Sequence, residues 1–289
     1  MKNWREWKIN TIEKSDFPKQ LKEIKKCPEK LFYRGNWDNN VFKKSLSIVG
    51  SRRMSRYGQE VIAKFMPVFV ANNITIISGF MYGVDAESHK KCLEFGGKTI
   101  AVLGGGLNIL TPPENDNLYS EILENNGLVI SEYTPNFQPT LWSFPQRNRI
   151  VSGLSTLGVL VVEAGIKSGS LITARIGREQ GKKIYAVPGQ INNSIAEGTN
   201  YLIKSKQGKI TTKAQDIVGN MDNLTQGVLF ESSDPLENSI IELLKIEAKS
   251  VDELCNELKI ETSELTSKIS MMCLEGKISE DNGRIYLYI

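Results

Sequence analysis

Histidine is nearly absent from this chain: His89 is the only one in 289 residues. Cysteine is scarce too, at positions 27, 92, 255 and 273, and no two of these form a CxxC pair. One imidazole and four dispersed thiols offer no ligand spacing for a structural zinc ion. The dispersion reads as free thiols in a reducing cytoplasm. No apolar run approaches the ~20 residues that a membrane-spanning helix needs. The opening Met-Lys-Asn-Trp-Arg-Glu-Trp-Lys has no apolar h-region, so no secretory leader is expected. G-x-G-x-x-G, G-x-S-x-G and H-E-x-x-H are missing as well. Gly96-Gly97-Lys98-Thr99 ends like a P-loop, but Cys92 stands at the first glycine position and a strand, not a helix, is expected to follow. A nucleotidase or ATPase has no motif to rest on, and no cofactor or metal is expected.

What the chain does have is one device used repeatedly. The apolar run Ser47-Ile48-Val49 ends in Gly50-Ser51-Arg52. Ile76-Ile77-Ser78-Gly79 leads to Gly83-Val84-Asp85. Val102-Leu103 ends in Gly104-Gly105-Gly106, and Val161-Val162-Glu163 leads to Lys167-Ser168-Gly169-Ser170. Strand ends of this kind present small residues and open backbone N–H groups along one edge of a sheet, a crest suited to anions. Arg52, Arg53, Arg147, Arg149 and Lys167 accompany it. The net charge of +3 is unevenly spread. From Leu229 onward there are 13 acidic and 6 basic residues, a net of −7, which leaves 30 basic minus 20 acidic, or +10, before it. The first part suits a polyanion and the tail does not.

Short β-branched runs at 46–49, 74–77, 99–103, 128–130, 157–162 and 184–187 are mostly separated by helical stretches at 57–71, 84–95, 115–125 and 170–180. Strands that are apolar throughout and alternate with helices predict an α/β fold: an extended Rossmann-like, mostly parallel sheet with helices on both faces. Pro67 is expected to kink or shorten the first long helix. Residues 1–42, with a short helix and several aromatics, predict an N-terminal arm packed on the core, and 43–220 the Rossmann-like domain. A polar linker is expected at 221–235. Three short helices and a hairpin turned at Asn282-Gly283 predict a small winged helix over 236–289.

Candidate binding residues follow from the crest. Arg52 after a Gly-Ser turn suits a bidentate grip on phosphate, with Arg53 beside it; a surface arginine after a tight turn is the plain alternative. Ser168 and Ser170 flank Gly169 at a helix start behind Lys167, a pattern that favours an anion over simple capping. Arg147 and Arg149 cannot share one helix face, so one is expected at the crest and the other on an acid such as Glu163. Phe137, Trp142 and Phe144 suit either base stacking or core packing. Asp85, Glu132 and Glu163 are expected to be structural partners of N–H groups or arginines, and His89 to donate to Asp85 or to backbone.

Taken together, Ile48-Val49-Gly50-Ser51-Arg52, Ser78-Gly79 with Gly83-Val84-Asp85, Phe144-Pro145-Gln146-Arg147-Asn148-Arg149, Ser168-Gly169-Ser170-Leu171-Ile172-Thr173 and Gly198-Thr199-Asn200-Tyr201 resemble the bacterial DNA-processing protein A family (DprA, also called Smf). The resemblance runs from about Phe17 to Val218. It implies a Rossmann core that binds single-stranded DNA, forms a homodimer and loads RecA recombinase onto incoming strands in natural transformation, without catalysis. It carries the DNA pocket onto Gly50, Ser51, Arg52, Arg147, Asn148, Lys167, Ser168, Gly169, Ser170 and Thr173. Two departures stand out. Phe80-Met81-Tyr82 replaces the usual Leu-Ala-x, which narrows the pocket or adds a stacking surface. Ser205-Lys206-Gln207-Gly208 replaces the usual Glu-Gly-Ala, which alters a turn. The rival readings are a nucleotide-binding enzyme or sensor related at fold level to the LOG phosphoribohydrolases, and a duplex-DNA regulator acting through the winged helix. The first lacks the Pro-Gly-Gly-x-Gly-Thr run. The second conflicts with the acidic tail, whose expected second helix carries only Lys268 as a cation.

Overall fold

Four- and five-residue segments that are buried at every position form the central strands, as a sheet covered on both faces requires. The computed structural model describes residues 3–219, 234–275, 277–281 and 283–287. The chain divides into two units, Met1–Met221 and Asp222–Ile289.

The first unit begins with β1 (Asn10–Glu13), α1 (Lys19–Lys22) and β2 (Lys30–Gly35). The alternating part follows: β3 (Ser45–Val49), α2 (Arg56–Ala71), β4 (Thr75–Ser78), α3 (Val84–Glu94), β5 (Thr99–Val102), α4 (Asp116–Glu124) and β6 (Leu128–Ser131). It continues with α5 (Ser143–Leu154), β7 (Gly158–Val161), α6 (Gly169–Glu179), β8 (Ile184–Ala186), α7 (Glu197–Lys204), β9 (Lys209–Ile210) and α8 (Gln215–Val218). All nine strands form one sheet in the order β1-β2-β6-β5-β4-β3-β7-β8-β9. The seven from β6 to β9 are parallel, and β1 and β2 add antiparallel at one edge.

The chain steps outward from β3 to β6 and then returns to place β7 on the other side of β3. This reversal opens a crevice at the carboxyl ends of β3 and β7, where open α/β sheets place their ligands. Alternation along the strands divides the core. Val49, Ile77, Val159 and Val161 pack against Ile150, Val151 and Leu154 of α5, while Leu46, Ile48, Ile76 and Leu160 pack against Phe65, Met66 and Phe69 of α2. Helix α2 runs through Pro67 to Ala71, so the proline does not shorten it.

The N-terminal residues do more than lie on the core. β1 and β2 extend the sheet, with β2 registered on β6 from Phe32↔Ser131 to Gly35↔Leu128. The aromatics there anchor the segment. Trp4 is fully buried, stacks on Tyr119 at 4.5 Å and donates its indole N–H to Asp116 at 2.8 Å.

The second unit contains α9 (Pro235–Ile246), α10 (Val251–Leu258), α11 (Thr262–Leu274) and the antiparallel pair β10 (Ile278–Asp281) and β11 (Arg284–Leu287). Ile240, Leu244, Leu254, Leu265, Ile269, Met272, Ile278 and Ile285 form its core. Most of the expected linker, 221–233, lies outside the described residues, as does Asn282 of the expected turn; Gly283 has the left-handed φ of +73°. Three of this unit's lysines are paired. Lys268 bridges Asp234 and Glu237, Lys277 bridges Glu237 and Glu275, and Lys249 bridges Glu247 and Glu257.

Candidate nucleic-acid interface

The switch-point crevice is an open cleft of about 660 Å³. Gly50, Ser51, Arg52, Arg53, Arg147, Asn148, Lys167, Ser168, Gly169, Ser170 and Thr173 all line it, so the fold brings these eleven residues into one place, while Arg149, Phe137 and Trp142 lie outside its lining.

Its central feature is the turn after β3. Gly50 leaves β3 where a Cβ would meet Val84 at 2.5 Å, so only glycine lets α3 approach this closely. Val84 N–H donates to the Ser51 carbonyl at 3.1 Å. The Ser51 hydroxyl accepts from Arg53 N–H at 3.0 Å and donates to the Arg53 carbonyl at 2.9 Å, so it closes the turn. Gly83 (φ +71°) passes so near that a Cβ there would lie 2.3 Å from the Ser51 carbonyl oxygen. The turn thus presents Arg52 outward. Its guanidinium carbon stands 5.7 Å over the Phe144 ring, a cation–π contact that orients it without neutralising it. Among the described residues no carboxylate lies within ion-pair distance of Arg52, Arg53 or Lys167.

The opposite wall is the start of α6. Ser168 caps the helix by accepting from Ser170 N–H at 3.3 Å, and the two hydroxyls are 2.7 Å apart. Around a Cβ built on Gly169 nothing lies within 4 Å, so open space faces the helix terminus. The positive end of the helix dipole points there. Thr173 is buried and its hydroxyl donates back to the Gly169 carbonyl at 3.4 Å.

Arg147 forms the floor and is 3% exposed. Its guanidinium donates to the carbonyls of Gly79 and Val102 at the ends of β4 and β5, and its Nε donates to Asn148 Oδ1 at 3.2 Å. Beside it lies Asp85. Burial pushes the Asp85 carboxyl above its usual range, against the pull of Arg147, and burial lowers the Arg147 guanidinium to about 10.

Several partnerships differ from expectation. Arg149 pairs with Glu132, not Glu163, through two bonds of 2.6 Å. Both side chains are nearly buried, so the pair is committed and Arg149 is not available to a ligand. Glu163 instead accepts from Ser55 N–H at 2.9 Å and from the Ser55 hydroxyl, tying the start of α2 to the end of β7. Phe80 does not narrow the cleft. It is fully buried, edge-on to Tyr119 at 5.8 Å, while Met81 lines the cleft. Phe137 stacks on Tyr133 at 4.4 Å, and Trp142 packs edge-on to both. Lys206 holds a left-handed φ of +55° in the turn after α7. Leu141 and Ile195 also line the cleft, and no pattern in the sequence marked them.

His89 bonds Thr99, not Asp85, through Nδ1 at 2.6 Å. The Thr99 hydroxyl proton is already donated to the Ile76 carbonyl at 2.9 Å, so Nδ1 must carry the imidazole proton. Nε2 is buried without a partner. Protonation would create a buried, unpaired charge, and burial accordingly lowers the pKa from 6.5 to about 3. The unfolded chain takes up this proton below pH 6.5 and the folded chain does not until about pH 3, so stability is full above 6.5 and falls with acid. We expect a loss of about 1.1 kcal/mol per pH unit on average between pH 6.5 and 5 in urea titrations, steepening toward about 1.4 at lower pH, and no such contribution in His89→Leu. An unchanged slope in the variant contradicts this assignment.

The sequence profile described as DNA recombination-mediator protein A matches residues 8–222. The chain belongs to this family. The family's DNA processing protein DprA of Streptococcus pneumoniae is 40% identical over 206 residues, 71% of each chain. Protein Smf of Escherichia coli is 41% identical over 206 residues, 71% of this chain but only 54% of that one. The X-ray structure of the S. pneumoniae protein superposes with a TM-score of 0.68 at 36% identity, covering 77% of each chain. DNA processing protein A from Helicobacter pylori, solved for its single-stranded DNA binding mode, superposes with a TM-score of 0.66 at 30% identity, covering 75% of this chain and 96% of that one. The profile ends at residue 222, the boundary between the two units.

Proposed function

We propose that this chain holds single-stranded DNA along the carboxyl edge of its parallel sheet and, as a cytoplasmic homodimer, delivers the bound strand to RecA recombinase in natural transformation and recombination. The observation that carries the reading is the convergence of Arg52, Arg53 and Lys167, each without a carboxylate partner among the described residues, with the open N-terminus of α6 around one cleft. Cations and N–H groups grip phosphate without reading sequence. The family and the H. pylori relative support the choice of single-stranded DNA as the polyanion.

The action is binding, not catalysis. The carboxylates that could serve as bases are engaged: Asp85 with Arg147, Glu132 with Arg149 and Glu163 with Ser55. The imidazole is sealed in the core. We read the second unit as a winged helix that contacts protein or restrains the core. Its lysines on α11 and before α10 and β10 are neutralised by glutamates and an aspartate, which disfavours a groove reader's cationic face on those elements.

Filter binding at two or more salt concentrations tests this. Three phosphate-binding cations at about −0.7 each give a log–log salt slope of about −2 per protomer on single strands. Single strands are bound in preference to duplex, and a chain ending at residue 228 keeps its affinity for both within about a factor of two, an expectation from the neutralised lysines. Release of free base from a nucleotide, or loss of duplex binding on truncation, would contradict the reading.

A further inference from the structure

We propose that the cleft has an apolar rim, led by Leu141 and Ile191, that seats the unpaired bases of the strand whose phosphates the cleft holds. The inference rests on the phosphate reading above and adds to it the groups that select single strands.

Large apolar side chains exposed singly on a surface are ordinary. Here most of them gather in one place. Phe95, Tyr201 and Ile210 lie elsewhere in the first unit, but Tyr57, Tyr82, Leu141, Trp142, Ile166 and Ile191, all more than a third exposed, lie on connections or first helical turns at the carboxyl edge of the parallel strands. Leu141 and Ile191 are the extremes, at 94% and 96%. Leu141 itself lines the cleft, and so does Ile195, four residues beyond Ile191 in the same connection. The two connections leave β6 and β8, which lie on opposite sides of β3, so the apolar tips flank the Arg52 turn.

Both tips stand on closed turns. Ser143 N–H donates to the Thr140 carbonyl at 3.1 Å, and the Ser143 hydroxyl accepts from Thr140 N–H at 2.9 Å, which puts Leu141 at the second position of a fixed turn. Trp142, at the third, is braced edge-on by Phe137 at 5.9 Å and Tyr133 at 6.0 Å. Asn193 N–H donates to the Gln190 carbonyl at 3.1 Å, and Ile191 occupies the second position of that turn. A backbone turn already closed loses little entropy on binding. The walls below carry cations and N–H groups, and the one lining carboxylate, Asp85, is buried on the floor. An occupant must therefore be anionic along its length and apolar on its exposed faces. Unpaired nucleotides have that chemistry, whereas a duplex hides its base faces in its own stack.

Fluorescence anisotropy with the full chain separates the two parts. The probes are a 15-nucleotide oligothymidylate and a fully abasic strand of equal length and charge. We expect the wild type to bind the oligothymidylate about tenfold more tightly than the abasic strand. The double substitution Leu141→Ser, Ile191→Ser erases that difference by weakening only the base-bearing probe. Both positions are solvent-exposed, so folding is not at stake. Equal wild-type affinity for the two probes, or a double variant that keeps the full difference, overturns the proposal. Arg52→Ala addresses the underlying reading: it weakens both probes by the same factor if the cleft holds phosphate. If it weakens neither, the phosphate reading fails and the rim proposal falls with it.

Discussion

Arg52→Ala lowers affinity for single-stranded DNA at least tenfold and makes the salt slope shallower by about 0.7, the loss of one phosphate contact. The size follows from the geometry. A charge-assisted, bidentate hydrogen bond contributes about 1.5–3 kcal/mol, and each 1.4 kcal/mol is a factor of about ten. Most surface arginines contribute far less because a neighbouring carboxylate already occupies them or because they must be ordered on binding. Arg52 has neither handicap: it lies over Phe144, on a turn pinned by Gly50, Gly83 and the Val84 N–H. The turn is built by its neighbours, so the substitution leaves stability nearly unchanged. Arg52→Lys keeps the charge and loses the fork, and it recovers part of the affinity. Anisotropy titrations at several salt concentrations measure both quantities. Full affinity in the alanine variant contradicts the placement of the site.

Arg147→Ala acts through the fold. Its guanidinium joins the ends of β4 and β5 through the Gly79 and Val102 carbonyls and faces the buried Asp85. Removing one member of a buried charge pair costs about 3–5 kcal/mol, because the other is left uncompensated. Arg147→Lys does not rescue it, since an ammonium cannot reproduce the fixed planar donors that meet the Gly79 and Val102 carbonyls and Asn148 Oδ1 together. The pH dependence distinguishes this from a simple packing defect. The Asp85 pKa is raised by burial and is restrained by Arg147. Without Arg147 the carboxyl rises further, and a raised carboxyl favours the folded state when protonated. The deficit is therefore largest at neutral pH and shrinks as pH falls toward the carboxylate range. Urea unfolding of both proteins at several pH values checks it. A deficit independent of pH, or below about 1 kcal/mol, shows that the pair is not coupled as described.

The strands, the helices between them and the crest were legible because each is a local pattern: an apolar run, a small-residue turn, a capped helix start. Gly50 to Arg53 and Lys167 to Ser170 could be placed together because parallel strands point their carboxyl ends the same way. What could not be read was long-range. The antiparallel addition of β2 to β6 joins segments almost a hundred residues apart and has no periodic signature. The choice of Glu132 over Glu163 for Arg149 depends on how α5 sits on the end of β6. His89 lies one turn beyond Asp85, which suggested a bond between them, yet it faces the strand that carries Thr99. Phe80 looked like cleft bulk, but a left-handed φ of +62° accompanies its burial in the core. Leu141 went unnoticed because an exposed leucine in a loop leaves no pattern.

The central claim is one of location, and hydrogen–deuterium exchange on the full chain, with and without a saturating single-stranded oligonucleotide, tests it directly. The account predicts slowed exchange in peptides covering 50–55 and 165–173, with little change in 251–274. Protection confined to the second unit, or to the β9 edge of the sheet, with 50–55 and 165–173 unaffected, would contradict it.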